Sequence, residues 1–189
     1  MKHALATVIA TGLLAACAST APQGTARQTA PAMATSSTVA RASVALAPAS
    51  GSLVSGKLSL MAMGSGVHIT GEVGGLAPGS THAIHIHEKG DCSAADATSA
   101  GGHFNPAAKP HGRVGHGDHH GGDMDNITAN GEGVATVNVH AAGVVMGGGA
   151  ANDVIGRGVI VHAAADDYAT QPTGNAGARV ACGVIKVSP

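Results

Sequence analysis

The stretch HAIHIHE, residues 82–88, places three histidines within six positions. Read as a strand it alternates faces with period two, so His85 and His87 point the same way, about 6 to 7 Å apart, and Ile84 and Ile86 point the other way. If the isoleucines face a core, the histidine pair stands outside it, where two neutral imidazoles can converge on one cation. His82 shares the parity of the isoleucines. It reads as a core-side or turn-packing histidine whose ring is hydrogen-bonded.

A second group of ligand-capable residues follows in GGHFNPAAKPHGRVGHGDHHGGDMDN, residues 101–126, with His103, His111, His116, His119, His120, Asp118 and Asp123. Little in it can pack apolar surface, so a metal would supply the bonds that burial cannot. Three imidazole nitrogens and one carboxylate oxygen complete a closed tetrahedral zinc site with no open position, which makes that zinc structural. Of the 12 histidines in the chain, eight fall between His82 and His120. Such clustering is expected of a metal site rather than of an evenly scattered surface.

These groups need a rigid frame. The 189 residues include 29 Gly, one Tyr, one Phe and no Trp, so a core has to come from Val, Ile, Leu and Ala. Short β-branched runs alternate with Gly, Asn and Pro punctuation: SVALAP, SLVSGKLSLMAM, GVHITGEVGGL, THAIHIHE, NITANGEGVATVNVH, DVIGRGVIVHA and RVACGVIKV. ANGEG at 129–133 reads as a hairpin turn, and no 3.6-residue apolar period follows the N-terminus. The pattern predicts an all-β fold, an antiparallel Greek-key β-sandwich or flattened barrel. Two long irregular stretches, Lys89 to Asp125 and Ala163 to Ala178, interrupt the strands, and loops of that length in one domain tend to be functional.

The N-terminus MKHALATVIATGLLAAC has a basic Lys2 and then an apolar run of about a dozen residues, too short to span a bilayer and typical of an export signal. Leu14-Ala15-Ala16-Cys17 is similar to a bacterial lipoprotein processing box, in which Cys17 is lipidated; cleavage after Ala18 is the competing reading. Residues 1–17 are therefore assigned to a signal, 18–40 to a flexible tether rich in Ala, Ser, Thr and Pro, and 41–189 to one folded domain. The expected location is the bacterial cell envelope, the periplasm, with lipid anchoring through Cys17. There the remaining cysteines, Cys92 and Cys182, would persist as a disulfide. Ten basic residues balance eleven acidic ones and no Lys/Arg cluster appears, which excludes nucleic acid as a partner.

Taken in order, HIHEKGDC, GGHFNP, HGDHHGGD, IVHAAADD and GNAGARVACGVI resemble the Cu/Zn superoxide dismutase family of the bacterial exported kind, over residues 41–188. The resemblance implies copper and zinc as cofactors and superoxide as substrate, and leaves a homodimer open. By motif, His85, His87 and His162 match copper ligands, and His103 matches the ligand shared by both metals. His111, His120 and Asp123 match the zinc ligands. Asp166 matches a carboxylate that bonds the outer nitrogens of His85 and His111, and Arg179 matches an arginine that holds a small anion near the copper. His119, beside His120, competes as a ligand, but the three-residue step to Asp123 favours His120. The second loop lacks the lysines many members use to attract substrate, which leaves Arg179, helped by Lys89, Lys109 or Arg113, to shape the field. The alternative is a non-enzymatic envelope copper or zinc carrier, which would need neither Arg179 nor Asp166.

Overall fold

Apolar residues recur at every second position along the strands, and that period decides which side of the sheet closes on itself. The computed structural model describes Met1 and residues 31–189. The export signal, Cys17 and residues 18–30 of the expected tether lie outside the described residues. The strands are β1 Arg41–Pro48, β2 Ser55–Met63, β3 Gly66–Gly74, β4 Thr81–His82 and β5 Ile84–His87, followed by β6 Ile127–Thr128, β7 Ala135–Ala142, β8 Gly158–His162, β9 Arg179–Val184 and β10 Lys186–Val187. Among the described residues the only helical element is the 3₁₀ turn Thr98–Ala100.

Seven strands run in the order β5-β8-β9-β1-β2-β3-β7, all pairs antiparallel, with β10 also on β1 and a separate β4-β6 pair. The connections β3 to β5 and β7 to β8 jump from one end of that order to the other, which is the crossing of a Greek key. Strand β1 turns the corner: Arg41 to Leu46 pair with β2, Ala42 and Ser43 also with β10, and Ala47 and Pro48 pair with β9. One core is filled from both ends of the order, by Leu58, Leu60, Val67 and Ile69 from one side and Ile84, Ile86, Val159 and Val161 from the other. Only a strongly curled sheet lets strands so far apart in the order share a core.

The expected hairpin turn is present. Asn130 N–H donates to the Val134 carbonyl at 2.9 Å, and Ala129 bridges Ala135. The expected tether, by contrast, ends bound to the domain. Ala34 N–H donates to Asn152 Oδ1 and the Asn152 amide donates to the Ala34 carbonyl, at 2.8 and 2.9 Å. Thr38 and Val39 N–H both donate to the Met146 carbonyl at 2.9 Å. Ordered chain therefore begins ahead of Arg41, held by main-chain bonds that leave no apolar period to read.

Candidate metal centre

Strand β5 delivers its side chains as the alternation requires: Ile84 and Ile86 enter the core and His85 and His87 face the other way. All four are fully buried, because the first long loop covers the histidine side. A small second core of Ala49, Ala97, Ala100, Ile160 and Cys182 pins that loop, helped by the Cys92–Cys182 disulfide with its Cα atoms 5.8 Å apart. On β8, Val159 and Val161 pack inward and His162 lands beside the β5 pair.

Two groups of ligand atoms result. His85, His87, His103 and His162 form one, and His103, His111, His120 and Asp123 form the other, each with its ligand atoms within 4.8 Å of one another. Every member is buried and His103 belongs to both. Its Nδ1 lies 2.8 Å from Asp123 Oδ1 and 3.3 Å from His120 Nδ1. Its Nε2 faces the other group. Neither His119, whose Nδ1 donates to the His120 carbonyl at 2.6 Å, nor the exposed His116 belongs to either group. His82 bonds the His162 carbonyl at 2.7 Å and Ser80 at 2.6 Å, the packing role expected for it.

The outer nitrogens are fixed separately. Asp166 Oδ2 accepts from His85 Nε2 at 2.8 Å, and Asp166 Oδ1 accepts from His111 Nε2 at 2.9 Å. One carboxylate thereby orients a ring in each group. The Gly101 carbonyl accepts from His87 Nδ1 at 2.9 Å and also from Arg179 Nη2 at 2.7 Å, while Arg179 Nη1 donates to the Ala97 carbonyl at 2.8 Å. Gly174, at φ +66°, backs this arrangement: a Cβ there would stand 1.8 Å from Asp166 Oδ1. No other residue fits without displacing the carboxylate.

Do these residues suit a pair of cations? His85 Nδ1 and His103 Nε2 are buried with no hydrogen-bond partner, and the buried His111 Nδ1 has only Asp123 Oδ2 beside it at 3.0 Å, a fellow member of its group. A buried polar atom left without a partner is costly, and a cation removes that cost. Two nitrogen pairs, His87 Nε2 with His162 Nε2 and His103 Nδ1 with His120 Nδ1, each stand 3.3 Å apart. Two ligands on one tetrahedral ion with bonds of about 2.0 to 2.1 Å sit roughly 3.3 Å apart, so the spacing matches shared coordination. The nitrogen-rich group suits copper, and the group with a carboxylate suits a closed zinc site.

Electrostatics keep three of the histidines in their binding form. Burial, aided by neighbouring histidines, lowers His87 to about 2, His162 to about 3 and His103 to about 4, so all three are neutral at pH 7. Burial also opposes charge on His111, but Asp123, 3.0 Å from Nδ1, and Asp166 at Nε2 outweigh it and raise this ring to about 9, so at pH 7 a cation must displace the Nδ1 proton in order to bind. Burial works against both carboxylates too. Histidine hydrogen bonds prevail and hold Asp123 and Asp166 well below the usual range.

Two expectations change. Lys109 pairs with Asp118 at 3.0 Å, and Arg113 pairs with Asp125 at 2.8 Å, so neither contributes an unbalanced charge to the field. Arg179 and the exposed Lys89 are left to do so. Sequence reasoning also passed over the residues that set the loops: Gly101 through its carbonyl, Asn126, which bonds the Asp166 main chain at 2.8 and 2.9 Å, and Gln171, which brackets His111. Main-chain recognition carries no signature of residue type, so only the geometry reveals them.

A curled antiparallel sheet carrying two adjoining ligand groups that share one imidazole fits a class of binuclear β-metalloproteins. The family model described as copper/zinc superoxide dismutase matches residues 54–185. The chain belongs to that family, and copper and zinc are its cofactors. It is 42% identical over 134 residues to a Cu-Zn superoxide dismutase of Aquifex aeolicus, covering 69% of this chain and 79% of that protein. To the Cu-Zn superoxide dismutase of Caulobacter vibrioides it is 45% identical over 126 residues, covering 64% and 72%. Among solved structures, a SOD-like protein from Bacillus subtilis is 36% identical with TM-score 0.68, covering 75% of this chain and 96% of that one. The clock protein EA4 is 34% identical with TM-score 0.70, covering 80% and 97%.

Proposed function

We propose that this superoxide dismutase divides its work between the two clusters, with His85, His87, His103 and His162 holding copper and His103, His111, His120 and Asp123 holding zinc. The observation that carries the division is the membership of His103 in both groups. Bound copper supplies reversible one-electron chemistry, so that one superoxide is oxidised to dioxygen and a second is reduced and, with two protons, becomes hydrogen peroxide. Zinc has no redox role, and His111, His120 and Asp123 keep it where it orders the first long loop.

His103 handles a proton. The neutral ring carries one, and with Nδ1 committed to the zinc side that proton resides at Nε2 whenever Nε2 is not ligating. Buried Nε2 has no other partner, which favours handing the proton to the reduced product. Arg179 supplies the anion site. Its guanidinium is permanently charged and partly tied to the Ala97 and Gly101 carbonyls, so its place beside His87 is fixed before substrate arrives.

The apolar leader and the Leu14-Ala15-Ala16-Cys17 box support export to the bacterial periplasm with a lipid anchor on Cys17, and the Cys92–Cys182 disulfide suits such an oxidising compartment. Mass spectrometry of the mature N-terminus tests the anchor, and sedimentation of the metal-loaded chain decides between monomer and homodimer. For the activity, superoxide decay after pulse radiolysis is followed with metal-loaded and metal-free protein. Catalysed decay only in the loaded sample is expected; equal decay in both overturns the assignment.

A further inference from the structure

His111 differs from the histidines of β5 and β8 in having no strand beneath it. It stands on irregular chain between Thr98–Ala100 and β6, where sheet hydrogen bonds cannot fix its main chain. Its N–H instead donates to Gln171 Oε1 at 2.9 Å, and its carbonyl accepts from Gln171 Nε2 at 2.8 Å. One amide side chain, 60 positions away, satisfies both polar groups of the His111 main chain. The ring is held at Nε2 by Asp166, five positions before Gln171 in the same loop. Apart from Asp123, 3.0 Å from the ligating Nδ1, the handles on this histidine therefore come from residues 163–178, which carry none of the zinc-side ligands.

We propose that Gln171 is a positioning residue for the zinc half of the centre, an amide bracket that sets where His111 Nδ1 points. This rests on the reading of His103, His111, His120 and Asp123 as the zinc site. Without the bracket, the ring still has Asp166 as a pivot and the Gly112 N–H still donates to Asp123 Oδ2 at 3.1 Å, but both polar groups of the His111 main chain lose their partner and Nδ1 drifts from the common focus of the other three ligands. Residues that orient metal ligands in this way typically change metal affinity by about 10- to 100-fold when lost. Gln171 lies at the exposed rim, where water competes for both bonds, so the lower end of that range applies.

The test uses the mature chain loaded with copper and zinc. Zinc release is followed by transfer to excess chromophoric chelator, and the copper signal by electron paramagnetic resonance. Gln171→Met keeps the size and removes both bonds, and about a tenfold faster release is expected with the copper signal unchanged. Gln171→Glu keeps an acceptor for the His111 N–H and loses the donor, so it should release zinc at an intermediate rate. Thr170→Ala disturbs the neighbouring turn, where Thr170 bonds Asp167, without touching His111, and should match wild type.

Release from Gln171→Met within twofold of wild type overturns the proposal. So does equal acceleration in Thr170→Ala, which would mark a general loosening of the loop. Amide exchange in the zinc-loaded wild type needs no variant to fold: slow exchange at the His111 N–H supports the bracket, and exchange as fast as that of open loop amides refutes it. The underlying zinc assignment is tested separately, by whether wild type holds one zinc that His120→Ala loses.

Discussion

Replacing Asp166 with alanine should weaken both halves of the metal centre, and the zinc half more. Two oxygens of one buried carboxylate accept from His85 Nε2 at 2.8 Å and from His111 Nε2 at 2.9 Å, and Oδ1 also accepts from Tyr168 N–H at 2.6 Å. With those protons placed, Nδ1 of each ring is left free to ligate. Without the carboxylate, each ring loses both its tautomer preference and its aim. Losses of this kind run to about 10- to 100-fold in affinity per metal, or roughly 1.4 to 2.8 kcal/mol at 1.4 kcal/mol per factor of ten. The halves should differ because His85 sits in a strand backed by Ile84 and Ile86, while His111, on irregular chain, would keep only the rim contact with Gln171 and the fellow ligand Asp123. Copper should fall toward the lower bound and zinc toward the upper. Chelator competition for each metal measures both, with Asp125→Ala as control, since that carboxylate pairs only with the exposed Arg113. Unchanged zinc affinity in Asp166→Ala, or a loss no larger than in the control, would refute the coupling.

Three further outcomes follow from the same geometry. Metal-free protein should lose stability in urea as pH falls from about 6.5 to 4, because unfolded histidines take up protons near 6.5 while His103, His162 and His87 resist to about 4, 3 and 2; three such groups give a slope of at most about 4 kcal/mol per pH unit. His111 acts oppositely, adding stability that is fully present below 6.5 and disappears as pH rises through about 9, so the metal-free optimum should lie near neutrality; a pH-independent urea midpoint contradicts this. Replacing both Cys92 and Cys182 with alanine opens a loop of 90 residues and should cost at most about 4 to 5 kcal/mol on the chain-entropy account, read from equilibrium unfolding, with a change under 1 kcal/mol as the contrary result. Asn152→Ala leaves the Ala34 N–H, the Ala34 carbonyl and the Gly143 carbonyl without this partner, a loss of about 2 to 4 kcal/mol, and should make residues 31–40 sensitive to protease; unaltered cleavage there would count against a bound segment.

What could be read from the sequence is what the period-two rule and rare residue types encode. The strand HIH declares its faces because isoleucine and histidine cannot exchange sides without burying the wrong group, and Val159, Val161 and His162 repeat the logic on β8. The nine-residue step from His111 to His120 and the three-residue step to Asp123 are likewise visible, since ligand chemistry restricts those positions to a few side chains. The parts that stayed hidden all work through main-chain atoms or local charge pairing. Residues 31–40 read as tether because Thr38 and Val39 engage the Met146 carbonyl through N–H groups that any residue possesses. Lys109 and Arg113 look like free charge until Asp118 and Asp125 are seen beside them. The centre thus depends on two kinds of information. Ligands are specified by their own chemistry, but their exact aim is specified by residues such as Gln171, whose only qualification is to be an amide at the right distance. Variation at such aiming positions should therefore tune how tightly each metal is held while leaving every recognisable motif intact.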